Sequence, residues 1–158
     1  MANYYGKTRT NYFSVTDEEQ FRKIIAACKA SEDEVHFSDN EQEGENKKVG
    51  FYCDGSIQGL PYKLVDDEPV VTYDEDEAEE DLDNEISGDL FYEALQEVLV
   101  DGDAIIVTEI GSETMRYLLG YCLVITKNDV RHVNLSDKAL ELARTMLGDP
   151  SFTTQNDY

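Results

Sequence analysis

The chain has 158 residues, 41% of them apolar, with ten Tyr and six Phe, a composition typical of a folded protein and not of a disordered one. Its 35 Asp and Glu outnumber its 13 Lys and Arg, giving a net charge of −22, whereas small soluble domains need only about 2–8 units. A surface this acidic repels phosphate backbones and anionic lipids, which argues against direct binding to nucleic acid or to a membrane and favours a basic partner.

Targeting signals and cysteine usage indicate where the protein works. There is no charged-then-apolar leader and no apolar run near 18 residues, so we predict a cytoplasmic protein. Cys28, Cys53 and Cys122 are odd in number and widely spaced. This spacing predicts three reduced thiols, and neither a disulfide framework nor paired metal ligands.

The chain opens with a predicted strand and a predicted helix. Residues 9–15 alternate between apolar and polar side chains as a strand does. Thr16 and Glu19 fit a Thr-x-x-Glu capping box, which starts a helix. The apolar residues of that helix recur at i, i+3, i+4 and i+7, and so form one stripe: Phe21, Ile24, Ile25 and Cys28.

The next segment is predicted to form a hairpin. Strands at 34–38 and 48–54 are joined by a polar loop, and Val49, Phe51 and Cys53 share one face of the second strand. The Gly-rich stretch that follows is expected to be a loop with at most a short strand near Pro69.

The second half begins with a helix predicted over 87–99, with Ser87 as its N-cap. Its apolar face would consist of Ile86, Leu90, Phe91, Ala94, Leu95 and Val98. "DGDAIIVTEIG" predicts a turn and a strand. "MRYLLGYCLVIT" predicts a strand that is apolar on both faces, which is typical of a covered, central position.

The chain ends with a hairpin and a helix. "KNDV" makes a turn into the strand "RHVNL", and a last helix is predicted over 136–147, ended by Gly148 and Pro150. Its apolar side chains are Ala139, Leu140, Ala143, Met146 and Leu147.

This element order predicts an α+β fold. We expect a single domain over 1–148, made mainly of an antiparallel sheet of about 5–6 strands with about three helices packed on it. An acidic segment occupies 74–85, and 149–158 is expected to be a frayed tail.

Motifs for catalysis or cofactor binding are missing from the sequence. It has no Gly-rich phosphate loop, no G-x-S-x-G, no C-x-x-C and no H-E-x-x-H. His36 and His132 fall in predicted strands, and Cys28 and Cys53 on predicted core faces, where they are better explained as packed side chains than as catalytic groups. We therefore expect no enzyme and no cofactor.

Calcium is an alternative for the acidic segment, because hard cations bind carboxylate oxygens on short loops. An EF-hand loop needs Gly at position six and Glu at position twelve. Counted from Asp74, position twelve is Glu85 but position six is Glu79; counted from Asp81, neither position fits. The spacing argues against a dedicated site and leaves weak cation binding open.

The carboxylates are segregated along the chain. The 52 residues between Lys63 and Arg116 contain 19 acidic residues and no basic one. In the predicted helix, Asp89, Glu93 and Glu97 recur at i, i+4 and i+8, which gives steps of about 6 Å along the axis. DNA phosphates follow each other every 3.4 Å of axis per strand, and further apart along the winding strand.

This resemblance in charge spacing predicts a DNA mimic that inhibits a basic nucleic-acid-binding protein. The residues expected to bind the partner are Asp74, Glu75, Asp76, Glu77, Glu79, Glu80, Asp81, Asp83, Glu85, Asp89, Glu93 and Glu97.

Three other interpretations stay open. Residues 74–85 could be a disordered acidic linker. The protein could be an immunity or antitoxin-like protein that caps one basic toxin with Tyr73, Phe91 and Tyr92 as aromatic anchors, or a cation-binding module. A homodimer would lengthen the charged surface, although the sequence shows no coiled-coil seam or exposed apolar stretch that demonstrates one.

Two stretches, "YYGKTRTNYFSVTDEEQF" and "TEIGSETMRYLLGYCLVIT", resemble a family of small acidic proteins encoded on bacterial plasmids and prophages. The resemblance covers both ends of the chain. It implies a mobile element that faces host nucleases, a setting in which antirestriction and anti-CRISPR proteins of the DNA-mimic type are common, and it implies no catalytic residue.

Overall fold

A computed structural model describes residues 4–74, 85–113 and 117–153 of the protein. These residues form an α+β fold with three α-helices, a six-stranded antiparallel sheet and a smaller four-stranded sheet. The helices are α1 (Glu18–Ala27), α2 (Gly88–Val98) and α3 (Leu135–Leu147). The strands are β1 (Tyr4–Thr10), β2 (Lys29–Ala30), β3 (His36–Asp39), β4 (Val49–Asp54), β5 (Ile57–Val65), β6 (Glu68–Val71), β7 (Glu85–Ser87), β8 (Ile105–Glu113), β9 (Tyr117–Ile125) and β10 (Val130–Asn134).

The large sheet has the order β10-β9-β8-β1-β4-β3, so the first strand of the chain lies between strands from both halves. β1 pairs with β8 along its whole length and with β4 on its other edge. The predicted α+β class is confirmed, including the antiparallel sheet and the three helices. The predicted hairpin is confirmed as β3 and β4, with His36 opposite Tyr52.

The small sheet was not predicted. β5 is nine residues long and pairs with β2, β6 and β7, whereas the sequence predicted a loop with one short strand. Gly59 and Pro61 caused the error, since both are depleted in strands. Gly59 has a φ of +127°, and a Cβ there would lie 2.2 Å from the Ser87 carbonyl oxygen, so the glycine permits close contact between β5 and the start of α2.

Two boundaries near the N-terminus were predicted wrongly. The first strand ends at Thr10, and beyond it Phe13 and Val15 form only isolated bridges. The cap of α1 is Asp17, whose carboxylate accepts from the backbone N–H of Gln20 at 2.9 Å. Thr16 is not the cap because its hydroxyl donates to the Val98 carbonyl.

The core lies between the inner face of the large sheet and helices α1 and α2. Four phenylalanines are fully buried and make edge-to-face pairs: Phe13, Phe21, Phe51 and Phe91. The predicted stripe of α1 and the predicted inner face of β4 are both buried. Such packing anchors α2, since aromatic pairs add about 0.5–1.5 kcal/mol each beyond area burial.

The outer face of the large sheet is exposed, contrary to the covered position predicted for β9. Leu118 of β9 is 71% exposed, and Ile110 of β8, which projects to the same side, is 66% exposed. Along β8, the buried residues alternate with outward-facing ones such as Ile110, and the buried residues face the core. Strand β9 is interior in the sheet order, but among the described residues only the start of α3, at Leu135, lies over its outer face, next to Gly120.

Helix α3 also differs from its prediction. Asn134 caps its start and Gly148, with a φ of +64°, ends it as expected. Its apolar side chains were expected to pack on the sheet. Leu140 and Ala143 are half-buried, but none of its residues is fully buried, and Met146 is 79% exposed. Residues 154–158 of the predicted tail lie outside the described residues, and Arg144 Nε donates to the Phe152 carbonyl at 2.8 Å.

Candidate acidic interaction surface

Helix α2 holds the best-defined part of the predicted interaction surface. As predicted, Ser87 caps it, and the Ser87 hydroxyl accepts from the Leu90 N–H at 3.3 Å. Phe91, Ala94, Leu95 and Val98 are buried against the core. Because one side of the helix is fixed, the opposite side is held in a defined position.

Asp89, Glu93 and Glu97, which we call the acidic row, are exposed on this opposite side. Successive carboxylates are about 6 Å apart along the axis, from a rise of 1.5 Å per residue. Within the described residues, no Lys or Arg forms an ion pair with any of the three. Like charges at i, i+4 destabilise a helix by about 0.2–0.5 kcal/mol per pair, so the two pairs of the row destabilise α2, and only Asp89, in the first turn, interacts favourably with the helix dipole.

Two further predicted residues flank the acidic row. Glu85 begins β7, the short strand that leads into α2, and accepts from the Tyr62 hydroxyl at 2.5 Å. Asp74 is exposed and follows Tyr73. Burial and then the Glu97 carboxylate raise the pKa of the neighbouring Tyr73 phenol.

The other seven predicted partner-binding residues lie outside the described residues. They are Glu75, Asp76, Glu77, Glu79, Glu80, Asp81 and Asp83. Whether 74–85 acts as an acidic linker therefore stays a prediction.

Cations from other segments approach the 64–115 region, which has no basic residue of its own. Lys127 Nζ donates to the backbone carbonyls of Glu97 at 2.9 Å and Leu99 at 3.2 Å. Lys48 Nζ lies 3.8 Å from the Asp103 carboxylate. Lys127 thus supplies the positive charge that stabilises a helix C-terminus. Its bonds are to the backbone, so Lys127 forms no ion pair with a carboxylate of the row.

One of the three proposed aromatic anchors is wrong. Phe91 is 0% exposed and packs against Phe51 in the core, so it cannot contact a partner. Tyr92 is half-buried, and Tyr73 is 40% exposed. The apolar periodicity of α2 already placed Phe91 on the core side, and this signal should have outweighed its aromatic character.

A buried carboxylate that was not predicted, Glu109, lies on the core face of β8. Glu109 is only 3% exposed. It accepts hydrogen bonds from three hydroxyls: Tyr4, Ser56 at 2.5 Å and Tyr121 at 2.6 Å. A buried charge is costly unless it is hydrogen-bonded. The alternation of Ile105, Val107 and Glu109 was the signal that could have placed it inside.

The ring of Tyr4 reaches Glu109 by crossing two glycines that face each other in β1 and β8. A Cβ on Gly6 would lie 2.5 Å from the ring, and one on Gly111 would lie 2.2 Å from its hydroxyl oxygen. Burial and the hydrogen bond to Glu109 raise the pKa of Tyr4 to about 12, and the same causes raise the pKa of Tyr121. Both phenols are therefore protonated donors at neutral pH.

The cysteines lie where the sequence placed them. Cys28 and Cys53 are buried, Cys122 is half-buried, and all three are free. Burial raises the pKa of the Cys28 thiol to about 12 and that of Cys53 to about 11. At neutral pH these two are thiols, whereas a nucleophile needs the thiolate.

Comparisons with known proteins return nothing: no protein-family model, curated protein or solved structure matches the chain. The resemblance to acidic proteins of plasmids and prophages therefore stays a prediction. Over the part of the chain that the structure describes, no helix is long and apolar enough to cross a membrane.

Proposed function

We propose that the protein is a non-enzymatic inhibitor that presents a DNA-like acidic surface to the basic groove of a nucleic-acid-binding protein, of the restriction-enzyme or CRISPR-effector type. The observation that carries this proposal is the acidic row: three exposed carboxylates at regular spacing on an anchored helix, with no ion-pair partner among the described residues.

The cost of the row supports a binding role. Replacing alternate acids of the row with Lys would create favourable i, i+4 pairs in place of repulsive ones. Elsewhere the protein does this: Arg22 and Lys23 of α1 pair with Glu18 and Glu19 at i, i+4. Since the same chain neutralises the carboxylates of α1 and leaves those of α2 uncompensated, the negative charge of α2 has a use outside the fold.

The rigidity of α2 supports mimicry in particular. The helix is capped by Ser87 at its start and by Lys127 at its end, and its inner side is buried. A preorganised row loses little conformational entropy when it binds, which favours affinity. A groove that binds DNA presents Lys and Arg at positions set by phosphates, and a fixed row can occupy several of these positions together.

The test is competition with DNA for unrelated basic binders. A type II restriction endonuclease and a CRISPR effector nuclease would each be titrated with the protein, and DNA binding followed by fluorescence anisotropy at several salt concentrations. We expect displacement of DNA that weakens steeply as salt rises, because both charged surfaces are screened.

The decisive variant is Asp89→Lys, Glu93→Lys, Glu97→Lys, which should lower affinity for these binders by at least about tenfold. The matched control is Glu34→Lys, Glu43→Lys, Glu45→Lys, which makes the same charge change at exposed residues away from α2. Circular dichroism would check that both variants stay folded. Equal losses in the two variants, or no displacement of DNA by the wild type, would contradict the proposal.

Two other outcomes point to the alternatives. Inhibition of one cognate toxin, with no effect on other basic binders, would indicate an immunity-type protein. Calcium binding tighter than about millimolar in calorimetry would favour a cation-binding module.

A further inference from the structure

The described residues leave an apolar surface exposed on the side of the large sheet that faces away from α1 and α2. We define this outer surface by two sets of residues. The first set projects outward from β1, β8 and β9: Tyr5, Ile106, Ile110 and Leu118. The second set is an exposed stripe of α3 at i, i+4, i+7 and i+11: Leu135, Ala139, Leu142 and Met146.

The two sets adjoin each other. β10 passes into α3 without a loop, and a Cβ on Gly120 of β9 would lie 3.1 Å from the Leu135 side chain. Helix α3 therefore begins over the outer face of β9. An open groove of about 990 Å³ follows the sheet part of this surface, and its lining includes Tyr5, Ile110 and Leu118.

Charge distinguishes the outer surface from the rest of the molecule. Its basic and acidic residues balance: Lys7, Arg9, Lys138 and Arg144 against Glu32, Asp54, Asp137 and Glu141. Asp54 is already paired with Lys7 at 2.9 Å. Since the whole chain carries −22, this is a surface where the contacting residues of two copies add no local like-charge repulsion to that between the acidic parts.

The size of the outer surface suits a dimer. β8 and β9 have nine residues each, so three strands cover roughly 30 by 14 Å, and the 13 residues of α3 extend about 20 Å. With a helix about 10 Å wide, the sheet and the helix together have a projected area on the order of 600 Å². The solvent-accessible area of the side chains is larger than this projected area. Stable interfaces bury about 800 Å² per partner, which this surface approaches.

We infer that a second copy of this chain covers the outer surface, so that the protein is a homodimer joined through β1, β8, β9 and α3. A two-fold axis would place the exposed stripe of each α3 against apolar side chains of the other copy. Because α2 packs on the opposite face of the sheet, the two acidic rows would point away from the interface, one on each side of the dimer.

Sedimentation equilibrium over about 1–100 µM tests this inference, with a monomer mass of 17.9 kDa. We expect the wild type to have twice that mass. Leu118→Lys on the sheet and Met146→Lys on the helix should each raise the dimer dissociation constant by at least about tenfold. Lysine lowers the net negative charge, so weaker association could not come from greater overall repulsion.

The matched control is Leu64→Lys on β5, since Leu64 is as exposed as Ile110 but lies in the small sheet. It should leave the dimer unchanged, and thermal melts would confirm that all three variants are folded. A wild type that stays at 17.9 kDa throughout, which includes the case of an unrelated protein or apolar ligand as the occupant, would overturn the inference. So would an equal loss of dimer in Leu64→Lys.

Salt separates this inference from the proposed function. Added salt screens repulsion between the acidic parts of two copies, so the dimer should tighten as salt rises. Binding to a basic nuclease should weaken over the same range. The salt dependence of the dimer and that of nuclease binding can each differ from expectation without the other.

Discussion

Helices α2 and α3 are both amphipathic, but only α2 is packed in the core. Both have a capping side chain at the start. α2 buries four residues in the core, and α3 buries none. Amphipathic periodicity thus identifies the side of a helix that avoids water, but it does not identify what covers that side. For α2 the cover is within the chain, and for α3 we infer that it is a second copy.

Matched leucine truncations are the strongest test of this difference. Leu95 is 0% exposed and Leu142 is 60% exposed. Leu95→Ala should lower the free energy of unfolding by about 2–5 kcal/mol, because it leaves a cavity in a packed core. Leu142→Ala should change it by less than about 0.5 kcal/mol in dilute protein. Urea titration followed by circular dichroism measures both, and similar losses would show that α3 is packed within the monomer.

A second test compares a buried carboxylate, Glu109, with an exposed one, Glu93 of the acidic row. Glu109→Ala removes the acceptor shared by Tyr4, Ser56 and Tyr121, so stability should fall by about 1–3 kcal/mol. Glu93→Ala removes an exposed acid from a like-charged row, and should be neutral or stabilising within about 0.5 kcal/mol. Thermal unfolding in low salt distinguishes them. A larger loss from Glu93→Ala would mean that the acidic row has a structural partner.

A third comparison, with a smaller largest effect than the first two, uses the helix caps. Ser87→Ala should lower the free energy of unfolding by about 1 kcal/mol, since α2 unfolds with the core. Asn134 caps α3 by accepting from the Ser136 N–H at 2.8 Å. Asn134→Ala should reduce the helical signal in circular dichroism without moving the main transition. A shift equal to that of Ser87→Ala would show that α3 belongs to the same cooperative unit.

Much of the fold follows from local patterns. The stripe of α1, the cap of α2, the hairpin of β3 and β4, and the Gly148 stop of α3 were predicted, because each depends on neighbouring residues. Four of the six residues predicted for the apolar face of α2 are buried, whereas Leu90 is half-buried and Ile86 lies in β7 and is 47% exposed. The small sheet was missed since Gly59 and Pro61 disfavour strands in general, and only the contact with Ser87 shows why a glycine belongs there.

The candidate site was partly predictable for the same reason. Exposure of Asp89, Glu93 and Glu97 follows from helical spacing within one element. The positions of Lys127 beside α2 and of Glu109 among three hydroxyls depend on contacts between segments far apart in the chain. No local pattern reports such contacts, and seven of the predicted acids fall outside the described residues.

The path of Tyr4 across Gly6 and Gly111 has an evolutionary consequence. A side chain at position 6 or 111 would meet the Tyr4 ring where it now lies, so a change at either glycine must move or remove that ring. A larger residue at either glycine is therefore expected to be accompanied by a change at position 4. Glu109 would then lack one of its donors and would itself come under selection for replacement, so four positions spread over more than a hundred residues should change together.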